Sequence, residues 1–175
     1  MAATFLARAN DLRQHCAIMP LHSATPAPEF LDSFLERAGL ARDNRPVVLV
    51  FLRSDCPWCA SEVPRLGEVF ARAGKLDLRV VGVACGNDTP ASAERFHAEK
   101  QLNFPVAADE NSALSTAFGI ERVPSIVIVS AHGLVERTFV GVTEQLAGIV
   151  ERSLCAVADD LPLPVYEMIG NGCAP

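Results

Sequence analysis

Six consecutive apolar residues, Val47 to Leu52, end just before two cysteines, Cys56 and Cys59, that are separated by only two residues. An unbroken apolar run of this length, rich in valine, is typical of a strand buried on both faces. The following segment, 57–73, carries apolar residues at helical spacing, and Pro57 suits the first turn of a helix. The sequence therefore predicts that Cys56 lies where a buried strand gives way to a helix.

The rest of the chain alternates further strand and helix patterns. Strands are predicted at 78–84, 104–107, 125–129 and 134–140, and helices at 91–100, 111–118 and from Leu146 to Leu154 with Thr143 as cap. The short turn Ala131-His132-Gly133 makes the last two strands an antiparallel hairpin. This order predicts an α/β fold, with a central mixed sheet flanked by helices.

Both ends of the chain differ from this central pattern. Residues 1–45 are predicted to be a helical N-terminal extension, in which a proline-rich connector at 22–28 joins two helices. Residues 46–155 form the predicted domain. Residues 156–175 contain several prolines and glycines without periodicity, which indicates an irregular tail.

The charge and hydropathy of the chain limit the kinds of partner that it is expected to bind. The chain of 175 residues has a net charge of -6, and its 15 lysines and arginines are scattered, so no nucleic-acid surface is expected. No apolar run approaches the roughly 20 residues that span a bilayer. No signal peptide is recognisable at the N-terminus. We expect a cytoplasmic protein if Met1 is the native start, and a periplasmic one if a leader was removed.

The cysteine pair suits disulfide exchange and calls for no cofactor. At a helix N-terminus, unsatisfied N–H groups and the helix dipole stabilise a thiolate, so Cys56 is the candidate nucleophile. Cys59, one turn further along, is the candidate resolving cysteine that attacks the mixed disulfide formed by Cys56. Asp55 opposes the thiolate unless Arg53 or the helix dipole offsets its charge. Pro57 and Trp58, between the sulfurs, are expected to contact substrate.

Other uses of the cysteines are weaker hypotheses. Zinc needs two further ligands, and no second close pair exists among the six cysteines. A structural disulfide between Cys56 and Cys59 would close a small loop and add little stability. Cys85 is interpreted as a buried core residue. The alternatives for Cys16, Cys155 and Cys173 are pairing among themselves or, for Cys173, a mobile third thiol.

Three segments together resemble the thioredoxin superfamily: the run Val47–Leu52, the Cys56-Pro57-Trp58-Cys59 segment, and Val123-Pro124-Ser125 ahead of a hairpin. The resemblance implies that Pro124 is a cis-proline facing the cysteines, with the backbone of Val123 available to an extended substrate. The alternative is that Pro124 merely begins a strand.

The closer resemblance is to thiol-disulfide oxidoreductases of the TlpA and ResA type. Their pattern C-x-x-C-x-x-E-x-P-x-L is matched by Cys56, Cys59, Glu62, Pro64 and Leu66. An αβα insertion between the cysteine half and the cis-proline half is also similar. By this likeness Glu62 shuttles a proton for Cys59, the alternative being a solvated helix carboxylate. The residues before Cys56, and a helical start where the family has a β-hairpin, depart from the family.

The function predicted is exchange of disulfides with protein thiols, together with an upstream redox donor or acceptor. One alternative is an inert binding module that keeps the same fold. Another is a thiol peroxidase, although the proline and the threonine or serine of that motif are replaced by Leu49 and Arg53. Glutaredoxin shares the C-P-x-C form, but the insertion and the chain length argue against it.

Overall fold

A central mixed sheet organises the part of the chain that the computed structural model describes, residues 25–40, 43–73, 76–142 and 146–158. The strands are β1 (Thr25–Pro26), β2 (Val47–Leu52), β3 (Arg79–Ala84), β4 (Val106–Ala108), β5 (Ser125–Val129) and β6 (Leu134–Val140). The helices are α1 (Leu31–Arg37), α2 (Pro57–Ala73), α3 (Pro90–Glu99), α4 (Ala113–Ala117) and α5 (Leu146–Ala158). A short 3-10 turn, Glu110–Ser112, precedes α4.

The sheet has the order β1-β6-β5-β2-β3-β4. Strand β2 lies inside it, parallel to β3 on one side and antiparallel to β5 on the other. All six residues of β2 are buried, as its apolar run predicts. The hairpin of β5 and β6 is antiparallel, and β4 adds a parallel strand beyond β3. These pairings confirm the α/β fold with a mixed sheet flanked by helices.

Helix α2, which follows the cysteines, packs against α5. An ion pair of 2.8 Å between Arg72 Nε and Glu151 Oε1 joins the two helices at the surface. Pro64 lies inside α2, where a proline removes one backbone hydrogen bond of the helix. No helix in the described ranges is both long and apolar enough to cross a membrane.

The start of the described chain contains a strand that the sequence did not predict. Within the proline-rich connector, Thr25 and Pro26 pair with Val135 and Leu134 of β6, so β1 extends the sheet by one short edge strand. A two-residue strand carries no alternating pattern, and proline is tolerated at a sheet edge. Helix α1 follows as predicted, and Gly39 after it has a φ of +77°. The predicted first helix, the cap at Thr143 and residues 159–175 of the predicted tail lie outside the described residues. Residues 156–158, which were predicted to begin that irregular tail, instead belong to α5.

The segment between the two halves of the fold contains α3, β4 and α4 in that order. The predicted helix at 111–118 begins later than expected, because Asn111 and Ser112 have positive φ angles of 58° and 53°. The buried carboxylate of Asp109 instead accepts hydrogen bonds of 2.8 Å from the amides of Leu114 and Ser115. This capping sets the start of α4 at Ala113.

Candidate functional site

Cys56 occupies the junction between β2 and α2. Its N–H donates to the carbonyl of Arg53 at 3.3 Å, and its own carbonyl accepts the first helical bond, from Ala60 N–H, at 3.0 Å. Cys56 is thus the residue from which α2 (Pro57–Ala73) begins. A helix N-terminus is a position where free N–H groups and the helix dipole favour a negative charge, and activation of Cys56 there stays a prediction.

Cys59 lies 3.6 Å from Cys56 and is fully buried, with an exposure of 0%. Burial disfavours the charged thiolate and raises the pKa of Cys59 to about 12. A hydrogen bond of 3.5 Å from the N–H of Arg53 to Cys59 Sγ works against this increase, while the carboxylates of Asp88 and Asp55 add to it. Cys59 therefore rests as a protonated thiol that needs a proton acceptor before it reacts.

Cys56 is disulfide-bonded in this structure. Its partner is neither Cys59 nor Cys85, because both of these cysteines are free thiols. Cys56 is 2% exposed. A free thiol, that of Cys59, thus lies close to a cysteine that is engaged in a disulfide.

The peptide bond between Val123 and Pro124 is cis, as the resemblance implies. Cys56 Sγ lies 3.9 Å from the carbonyl oxygen of Val123, although the two residues are 67 positions apart in the chain. The loop ahead of β5 thus faces the first cysteine. Strand β2 pairs antiparallel with β5, and Phe51 near the end of β2 lies opposite Ser125 at the start of β5. This pairing places the loop before β5 and the cysteines after β2 at the same end of the two strands.

Arg53 neutralises the carboxylate beside the first cysteine. Its Nε and Nη2 donate to the two oxygens of Asp55 at 2.8 and 2.5 Å. These hydrogen bonds with Arg53 lower the pKa of Asp55, so Asp55 is ionised but paired. The sequence posed Asp55 as an opponent of the Cys56 thiolate, and the pairing with Arg53 offsets that opposition.

Ser54 is hydrogen-bonded to Asp88, a residue that follows β3. Its N–H donates to Oδ2 of Asp88 at 2.8 Å, and its hydroxyl donates to Oδ1 of the same carboxylate. The hydroxyl of Ser92 donates to Oδ1 of Asp88 at 2.6 Å. Asp88 lies in the loop between β3 and α3, so this carboxylate joins that loop to the turn before Cys56.

Two further candidate residues lie on α2, Trp58 between the cysteines in the chain and Glu62 after them. Trp58 is one of two large apolar side chains that are exposed in the described ranges, at 41%. Glu62 follows Cys59 by three residues, and its side chain, 18% exposed, is paired with Arg65 Nη1 at 3.3 Å. The segment of α2 around Cys59 therefore carries an exposed indole and a half-buried carboxylate.

The remaining candidates of the sequence lie away from this chemistry. Cys85 is fully buried, and its thiol donates to the carbonyl of Val83 at 3.3 Å. Burial raises the pKa of Cys85 well above the usual range, so it is a core residue. Cys155 lies half-buried in α5. The described residues bring no three His, Cys, Asp or Glu side chains together in a way that could hold a metal ion.

Sequence reasoning missed the contact between Asp88 and Ser54. Asp88 stands in an Asn-Asp-Thr-Pro segment, which was interpreted only as a turn before a helix. The turn interpretation holds, since Thr89 caps α3 through the amide of Ser92. Nothing local indicates that the carboxylate reaches residue 54, because that contact depends on β3 lying beside β2 in the sheet.

A cis-proline loop beside a helix-initiating cysteine pair, on a mixed sheet, defines the thioredoxin-like class of protein.

The comparison with protein families agrees with that class. The model of the Redoxin family matches residues 28–152, and the chain belongs to this family. Thiol-disulfide oxidoreductase ResA of Halalkalibacterium halodurans is 25% identical over 105 residues, covering 59% of either chain. The chain therefore spans less than two thirds of the length of that relative.

Solved structures with the same fold include members of two functional groups. A putative thiol:disulfide interchange protein DsbE from Chlorobium tepidum superposes with a TM-score of 0.65 at 22% identity, covering 79% of this chain and 99% of that one. The bacterioferritin comigratory protein of Xanthomonas campestris, described for alkyl peroxide reduction, gives 0.59 at 22% identity over 66% and 82% of the two chains. At these identities the likeness concerns the fold alone.

Proposed function

We propose that this chain is a thiol-disulfide oxidoreductase that exchanges disulfides with protein thiols through Cys56 and Cys59. The observation that carries the proposal is the placement of Cys56 at the start of α2, with Cys59 3.6 Å away and the carbonyl of Val123 3.9 Å from its sulfur. The relatives named thiol-disulfide oxidoreductase ResA support the same chemistry. An upstream donor or acceptor of protein or small-thiol type completes the cycle.

In the reducing direction, the thiolate of Cys56 attacks one sulfur of the substrate disulfide and forms a mixed disulfide, while the other substrate sulfur leaves as a thiolate. Cys59 then loses its proton and attacks the sulfur of Cys56. The second substrate thiol is released, and two electrons have passed from the cysteine pair to the substrate. The Cys56–Cys59 disulfide that remains is reduced by the upstream partner, and the oxidising direction reverses each step.

Glu62 is proposed as the proton acceptor of Cys59. A thiol with a pKa of about 12 ionises too rarely at neutral pH to attack without help, which gives a carboxylate one turn away a function. Arg65 Nη1 lies 3.3 Å from Oε1 of Glu62. The proposed substrate-binding surface consists of Pro57, Trp58, Val123 and Pro124. In this proposal the exposed indole of Trp58 and the backbone of Val123 contact an extended segment of the substrate.

Reduction of insulin disulfides by the dithiothreitol-reduced protein tests this proposal. We expect the wild type to catalyse the reaction. The rate of Cys56→Ser should be lower by about a hundredfold or more, because the attacking thiolate is absent. Cys59→Ser should stop after one attack and accumulate a covalent adduct with insulin, visible by mass spectrometry. Cys85→Ala, which removes a cysteine outside the pair, is the matched control and should retain activity.

Two results would contradict the proposal. An active Cys56→Ser variant, or a wild type no faster than dithiothreitol alone, would leave the chain as an inert module with the same fold. Rapid turnover of peroxide would favour a thiol peroxidase. That alternative lacks support at the site, because Leu49 is buried within β2 and Arg53 is paired with Asp55.

A further inference from the structure

The turn before Cys56 is fixed from outside its own element. Ser54 is the middle of the three residues between β2 and Cys56, and both of its polar groups are hydrogen-bonded to Asp88. Asp88 follows β3, 34 positions later in the chain. A carboxylate that accepts from an N–H and a hydroxyl of one residue restricts that residue strongly, because both of its oxygens are used.

Asp88 is itself held in place. Its N–H donates to the carbonyl of Cys85 at 3.3 Å, and it accepts the hydroxyl of Ser92. Ser92 also forms the capping box of α3 with Thr89, in which each residue bonds the backbone of the other. The hydroxyl of Ser92 thus gives the carboxylate a second partner, on α3.

The same turn makes contacts to both cysteines. The residue before Ser54 donates its N–H to Cys59 Sγ, and its carbonyl accepts the N–H of Cys56. A movement of Ser54 would therefore shift the backbone that contacts each cysteine. The position of a reacting group affects an exchange rate strongly, since misplacement by about 1 Å is enough to slow catalysis considerably.

We propose that Asp88 is a positioning residue for the Cys56–Cys59 pair, which fixes the turn before Cys56 by holding the amide and the hydroxyl of Ser54. This inference rests on the proposed function and deepens it. Asp88 touches neither substrate nor sulfur in this role, and acts through Ser54. Burial and, to a smaller extent, the charges of Asp88 and Asp55 raise the pKa of Cys59, which agrees with a carboxylate close to the pair.

The test compares single-turnover reduction of a disulfide peptide by reduced wild type, Asp88→Ala, Asp88→Asn and Thr89→Ala. The only tryptophan of the chain, Trp58, lies between the cysteines and provides the fluorescence signal. We expect Asp88→Ala to slow the exchange about fivefold or more, since its link to Ser54 is lost. Asp88→Asn keeps an acceptor of the same shape and should stay within about twofold of the wild type. Thr89→Ala weakens the cap of α3 without removing the link, and should also stay within about twofold.

The inference is overturned if Asp88→Ala reacts as fast as Thr89→Ala, or if Asp88→Asn is as slow as Asp88→Ala. If Asp88→Ala does not fold, Ser54→Ala removes the hydroxyl bond alone and is expected to slow the exchange about two- to threefold. An unchanged rate in Ser54→Ala would then overturn it. An inactive wild type would instead contradict the proposed function, which keeps the two failures distinct.

Discussion

The two cysteines of the site share one turn of chain but differ in what surrounds their sulfur atoms. Cys56 lies at the N-terminal end of α2, where the helix dipole favours a thiolate. The neighbouring carboxylate of Asp55 is neutralised by Arg53. Cys59 lies in the core, where burial raises its pKa to about 12. These surroundings support the proposed roles, in which Cys56 begins the exchange and Cys59 completes it.

The buried thiols predict a pH dependence of stability. Cys59 and Cys85 have folded-state pKa values raised above the ordinary thiol value, chiefly by burial. Below about pH 8.5 both the folded and the unfolded chain hold these protons, so stability does not change through them. Above it the unfolded chain releases protons that the folded protein keeps. The free energy of unfolding of the reduced protein should therefore fall by about 1.4 kcal/mol per pH unit for each thiol.

Urea denaturation of the reduced protein between pH 8.5 and 11 measures this slope. Cys59→Ala and Cys85→Ala should each decrease the slope by the share of one thiol, and the double variant by both. Equal slopes in the wild type and both variants would show that these thiols ionise in the folded protein as they do in the unfolded chain.

The contacts of the residues before Cys56 were only partly predictable from the sequence. The pair of Arg53 and Asp55 is local, and the sequence analysis anticipated it. The contact of Ser54 with Asp88 joins two segments that are adjacent only in the folded sheet, so it was not anticipated.

At the scale of elements, strong local patterns predicted the structure well. The bounds of β5, β6 and α2 agree with the prediction, and the apolar run at Val47–Leu52 is the buried strand β2. The cases that failed depend on contacts outside the segment. Strand β1 exists because β6 offers an edge, and α4 begins late because Asp109 caps it.

A close approach between two elements makes Gly82 of β3 a sensitive position. A Cβ at Gly82 would lie 2.8 and 3.2 Å from the two methyl carbons of Val106 and 3.3 Å from Leu52 Cδ2. Valine is stiff at χ1, so β4 must shift to make room. We expect Gly82→Ala to decrease the free energy of unfolding by about 1–3 kcal/mol.

Gly148→Ala is the matched control for that change. A Cβ at Gly148 of α5 would meet only Arg152 Nη1, at 3.5 Å, and alanine is the better helix former. Its stability should be unchanged or increased by up to about 1 kcal/mol. Chemical denaturation of both variants decides the matter, and a Gly82→Ala protein as stable as the wild type would show that β3 and β4 are less tightly apposed than described.

At the scale of the whole molecule, the site exists because the sheet order places distant segments together. Strand β2 delivers the cysteines, β3 leads to Asp88, and the loop before β5 presents Pro124. The sequence indicated these segments one by one, and the resemblance to the thioredoxin superfamily implied that Pro124 faces the cysteines. The register that sets each distance comes from pairing across the sheet, which no single segment encodes.

The central claim is that Cys56 and Cys59 form a reversible dithiol-disulfide couple. A redox titration of the protein in thiol-disulfide buffers, followed by Trp58 fluorescence and peptide mapping, tests it most directly. The account predicts one two-electron transition with a midpoint between about -270 and -120 mV, the range of dithiol proteins with this fold. The oxidised species should contain a disulfide between Cys56 and Cys59. A protein in which Cys59 remains a thiol throughout the titration would contradict the account.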